Sequence, residues 1–154
     1  MITNKKFDLT LLLSRVILGT VVLGHGVQKL LGWFNGYGFD GTMGFFTETI
    51  GLPYIFGLLI ILTETVGMLA LILGLFGRFI AGSLIVIMVG AIITTHGQFG
   101  FFMNWNGNQG GEGYEFHLLI IALSLVTTIL GSGGYSLDHL LFSKKDSPKQ
   151  PIHA

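Results

Sequence analysis

Cysteine is absent from the 154 residues. That excludes disulfides, thiolate metal ligands and thiol–disulfide exchange together, and with them any persulfide or cysteine-bound intermediate. Charge is also scarce, at 10% of residues against about 25% in soluble domains. Eight basic and eight acidic side chains leave no formal net charge, so nothing points to nucleic acid or another polyanion as a partner. Proline occurs three times and glycine 24 times, a balance that suits closely packed membrane helices better than a disordered chain. The apolar stretches lack two-residue alternation, which argues against strands. An unclosed sheet would in any case leave backbone groups unpaired in lipid.

What the chain does have is apolar length. Hydrophobic residues make up 51% of it, with a mean hydropathy of +0.73. Four segments stand out, at about 9–31, 54–76, 79–96 and 116–131. Each approaches the ~20 residues that carry a helix across a hydrocarbon core of about 30 Å. The expected fold is all-α: a polytopic membrane protein whose four-helix transmembrane bundle occupies residues 1–142, with a polar, disordered tail at 143–154. Lys5 and Lys6 ahead of the first run imitate a signal peptide, but Arg15 interrupts it and no small-residue cleavage site follows, so a retained first helix is expected.

Orientation follows from the basic residues. Lys5, Lys6, Arg78, Lys144, Lys145 and Lys149 all fall on one side of four crossings, whereas the connections at 32–53 and 97–114 contain no lysine or arginine. The positive-inside rule then puts both termini in the cytoplasm. The two opposite connections alternate glycine with aromatics and hold both tryptophans, Trp33 and Trp105. They are expected to lie along the outer interface and cap the bundle.

The ionisable side chains sort by depth at about 1.5 Å of rise per residue. His25, Lys29, His96, Glu115 and His117 gather toward the outer ends of their helices, Glu64 lies beneath them, and Arg15 lies further in. A carboxylate at Glu64 costs several kcal/mol in mid-membrane unless it faces the interior and finds a partner. Arg15 and His25 are the candidate partners, and remaining protonated is the third way out. Lys29, near a helix end, can simply snorkel to the headgroups.

These elements in this order, RVILG (15–19), HGVQKLLG (25–32), LTETVGMLALILGLFGR (62–78), GYEF (113–116) and GSGGYSLD (131–138), resemble the DoxX family of small four-helix membrane proteins. The resemblance runs from about residue 9 to 141 and maps the family's recurrent polar and glycine positions onto Arg15, His25, Gly26, Lys29, Glu64, Gly67, Gly74, Arg78, Gly113, Glu115 and Asp138. It implies a membrane subunit of a quinone-linked oxidoreductase or redox-stress complex, in the plasma (inner) membrane, working with a partner redox subunit and able to form a homo-oligomer. It transfers no established catalytic assignment.

On that reading Glu64 and His25 are candidates for proton transfer, and Lys29, Arg15, Glu115, His117 and His96 for binding a quinone head, whose carbonyls need hydrogen-bond donors. The residues that haem would use are His25, His96 and His117, and a metal ion would use His96, Glu115 and His117. Neither group is expected, because no helix carries the paired histidines of multi-haem cytochromes and histidines at helix ends commonly cap or hydrogen-bond. The glycine-rich loops at 36–41 and 107–113 lack the lysine and the strand–loop–helix setting of a phosphate loop. Two further function classes stay open. One is a non-catalytic membrane anchor or assembly subunit, in which the same polar residues hold helices together. The other, small-solute transport, has neither a broken helix nor an inverted repeat to support it.

Overall fold

A computed structural model describes residues 4–142, so the expected tail at 143–154 lies outside the described residues. Among these residues there is no strand. Helix α1 runs Lys5–Leu31, α2 Gly38–Gly44, α3 Tyr54–Leu73, α4 Gly77–Phe99, α5 Glu115–Leu130 and α6 Leu137–Phe142. The short helices α2 and α6 fall where only connections were expected. Three helices, α1, α3 and α4, are long and apolar enough to cross a membrane, and α5 is a shorter apolar helix of 16 residues.

The packing identifies the solvent. The core is small: Leu18 and Val22 of α1, Met68 and Leu71 of α3, Ile80, Ala81, Leu84 and Met88 of α4, and Ile120 of α5. Around it the outer surface is as apolar as the inside, with Leu13, Ile17, Val66, Leu69, Phe79, Val86, Ile93, Leu119 and Ile129 all exposed. A water-soluble monomer does not present apolar area on that scale. Lipid chains are the medium that accepts it.

One end of the bundle, hereafter the basic end, is held by a polar lock. Arg15 is almost fully buried, and its guanidinium donates to three backbone carbonyls: Ile72 at 3.3 Å, and those of Ser132 and Tyr135. The Asp138 carboxylate accepts from the backbone N–H groups of Phe76 (2.8 Å) and Gly77 (3.1 Å), and from the Ser132 hydroxyl (2.8 Å). It thus caps the start of α4, where orphan N–H groups and the helix dipole both favour an anion. Asp8 of α1 accepts from the Gly134 N–H at 2.7 Å. The segment 131–138 therefore ties α1 to the α3–α4 turn. That turn reverses direction through left-handed backbone at Gly74 (φ 71°), where a Cβ would meet Ser136 and the Arg15 guanidinium.

The other end, the aromatic end, is closed by the two long connections. Helix α2 buries Thr42 and Met43, and the Met43 thioether lies against Gly57 of α3. The connection 97–114 is stitched by its own acids. Glu112 accepts from the Asn104 N–H at 2.7 Å, and Glu115 accepts from the Met103 N–H at 3.0 Å and the Trp105 indole at 3.1 Å.

Candidate functional site

The site begins with a local irregularity in α3. Residues Thr63–Gly67 form a single π-helical turn inside an otherwise α-helical span. Such a turn inserts one extra residue, and such insertions occur often at functional sites. Here the consecutive residues Glu64 and Thr65 are both buried, and the Thr65 hydroxyl returns a 2.6 Å hydrogen bond to the Ile61 carbonyl. Helix α1 approaches this turn at Gly26, where a Cβ would run into the Glu64 carbonyl. Gly24, on the same helix, faces open space. Counting along α3 puts Glu64 at mid-span. Its seat beside Gly26 instead places it about 8 Å from the end of α1 by helical rise.

Glu64 is 3% exposed, and its carboxylate forms an ion pair with the ammonium of Lys29, which is 28% exposed. This departs from both partners expected from the sequence. Arg15 is at the opposite end of the bundle, occupied by carbonyls, and His25 donates no bond to the carboxylate, which Lys29 takes. The reason is reach: Lys29 is one turn beyond His25 on the same face of α1, and its flexible stem bends back to Glu64 instead of extending to the headgroups.

From the pair, imidazoles lead toward the aromatic end. His25, exposed on α1, has its ring 5.5 Å from that of Phe116 on α5. The next residue, His117, is 7% exposed, and its Nδ1 is buried with no hydrogen-bond partner. Its ring centroid is 4.2 Å from that of His96, at the end of α4. His96 Nδ1 is 2.8 Å from the Glu112 carbonyl. A carbonyl only accepts, so that nitrogen of His96 carries a proton and donates it. Glu115 stands apart from these rings, with one carboxylate oxygen engaged by the 97–114 connection.

The structure thus brings Lys29 to Glu64 and sets the His117 ring against that of His96 at a tilt, while Glu115 bonds the 97–114 connection and Arg15 the opposite end. Among the described residues no three histidine or carboxylate side chains gather in metal-ligating geometry. Sequence reasoning missed Asp8, Ser132 and Glu112. The only signal for the first two was the polar run GSGGYSLD closing an apolar helix, and for Glu112 there was none.

A helical membrane protein with a buried lysine–carboxylate pair near one end of its bundle is the class that fold and site define. The family model DoxX matches residues 10–97, and the chain belongs to the DoxX family. It is similar to a Bacillus subtilis (strain 168) protein named "Putative oxidoreductase CatD", with 32% identity over 142 residues, 92% of this chain and 94% of that protein. No solved structure matches the chain.

Proposed function

We propose that the protein is the membrane subunit of a quinone-linked oxidoreductase, and that the Lys29–Glu64 pair with His25 forms its quinone-head site. The observation that carries this reading is the pair itself. A carboxylate 97% withdrawn from solvent is costly in lipid, and such groups mark functional pathways more often than they serve as struts. The name of the Bacillus subtilis relative supports the same reaction class.

The residues fit the group. Lys29, partly exposed, and His25, exposed on α1, supply an ammonium and an imidazole N–H, donors for the two carbonyl oxygens of a quinone ring. When bound, the quinone supplies two-electron, two-proton chemistry, its electrons exchanged with a partner subunit. This chain's own residues move the protons. The Lys29–Glu64 pair holds a proton at the head site, and His25 exchanges it, twice for each quinone turned over. His117, with a free buried nitrogen, and His96, fixed in one tautomer by Glu112, pass it on toward the aromatic end. That end faces outward on this reading, because Lys5, Lys6 and Arg78 collect at the other, and the membrane is the plasma membrane.

The competing reading is the anchor subunit, favoured by the bonding of the pair between α1 and α3. Glu64→Gln separates the two. It keeps the shape of the side chain and removes the charge. In membranes containing the whole complex, quinone-dependent electron transfer is expected to fall at least a hundredfold, and a lipid extract of the purified variant is expected to lose its quinone, while the helix content stays unchanged. Retained activity with a lowered melting temperature would establish the anchor.

A further inference from the structure

At the basic end, away from the proposed head site, α1 carries two lysines in its first turn. Positive charge there opposes the helix dipole, which favours anions at an N-terminus. Neither Lys5 nor Lys6 is salt-bridged among the described residues, and the nearest acid on the same helix, Asp8, is turned inward to the Gly134 N–H. Among the described residues, two cations thus stand at that helix end with no acid paired to them, where an anion is favoured.

Below them lies a matching groove. Lys5, Lys6, Leu9 and Leu12 from α1, with Tyr135 from the 131–136 connection, line a cavity of about 310 Å³ open to the lipid side. Positions 5, 9 and 12 are spaced i, i+4, i+7, so a single stripe of the helix runs from an ammonium group down an apolar track. The far wall is fixed. The Tyr135 carbonyl accepts from the Arg15 guanidinium, and the neighbouring Gly134 is bonded to Asp8. An open groove lined by two lysines at one end and by aliphatic side chains along α1 has the polarity order of one phospholipid: an anionic head, then an acyl chain. We infer that this groove is a specific binding site for an anionic phospholipid, its phosphate on Lys5 and Lys6 and one chain along Leu9 and Leu12.

A juxtamembrane lysine adds about 1 kcal/mol toward an anionic lipid. Two lysines therefore correspond to about thirtyfold tighter binding of an anionic lipid than of a zwitterionic one with the same chains. The test is native mass spectrometry of the full chain in mild detergent, titrated with phosphatidylglycerol, with phosphatidylcholine of the same acyl length, and with soluble glycerol phosphate. Phosphatidylglycerol is expected to be retained about thirtyfold more tightly, and glycerol phosphate not at all. The double variant Lys5→Gln/Lys6→Gln is expected to abolish the preference, and Leu12→Trp, which fills the groove, to weaken both lipids. Equal retention of the two lipids, or a preference that survives the double lysine variant, overturns the site. Binding of glycerol phosphate that ignores Leu12→Trp makes it a plain anion patch and overturns the lipid assignment. Circular dichroism of each variant reports whether the bundle is intact.

Discussion

At the scale of single residues, two cations, Arg15 buried and Lys29 partly exposed, behave in opposite ways. Arg15 has a planar fork, and each of its three nitrogens donates to a carbonyl of α3 or the 131–138 segment. Lysine cannot reproduce that geometry. Arg15→Lys is therefore expected to recover less than half of the stability lost in Arg15→Ala, measured as the melting temperature of the purified protein. Full recovery would mean that charge alone suffices there. Lys29 has a flexible stem and meets a single carboxylate, so its contribution is electrostatic. This contrast was only partly legible in the sequence. That Glu64 had to face the interior was readable from its apolar neighbours, but which cation would reach it was not. Helix counting fixes depth along one axis only. The stagger between α1 and α3, set by Gly26 against the Glu64 carbonyl, decides the pairing.

At the scale of elements, the π-helical turn at Thr63–Gly67 and the glycine facing it act together. Adding one methyl at Gly26 forces backbone apart, because the atom it meets is a carbonyl and not the end of a movable side chain. Overpacking of this kind costs about 1–3 kcal/mol. Gly26→Ala is expected to lower the melting temperature, whereas Gly24→Ala, facing open space, is expected to leave it unchanged or raise it slightly through better helix propensity. Equal effects at the two positions would contradict the close approach. The four apolar segments announced themselves through length and composition, and their ends came within a few residues. The π-helical turn carries no composition signal, since TETVG is an unremarkable polar interruption. Helices α2 and α6 escaped notice because glycine and aromatic content masked the first, and six residues are too few to show periodicity in the second.

At the scale of the whole molecule, the fold divides its polar groups between two ends. The basic end is a lock: Asp8 and Arg15 bind one short segment, whose own Asp138 binds the α3–α4 turn, with hydrogen bonds that engage backbone donors and acceptors. The aromatic end holds the ion pair and the imidazoles, one of them with an unused nitrogen. This division explains why Arg15, grouped with the quinone-binding residues from sequence alone, is built into the opposite end. Depth along helix one was right, but the 131–138 segment folds back to claim it. Reporter fusions test the orientation: a fusion after Phe46 is expected to report the outer side and one after Ser143 the cytoplasm. The opposite pattern would reverse the proposed direction of the proton route.

The account depends most on the Lys29–Glu64 pair being a mutually neutralising unit shielded from lipid. Removing one member of a buried pair costs about 3–5 kcal/mol, whereas replacing both with apolar side chains of similar volume is often neutral. The decisive measurement is thermal unfolding of Lys29→Met, Glu64→Met and the double variant in the same bilayer. The prediction is that each single change lowers stability strongly and the double change restores most of it. Losses that simply add would show that the two charges are not bonded to each other.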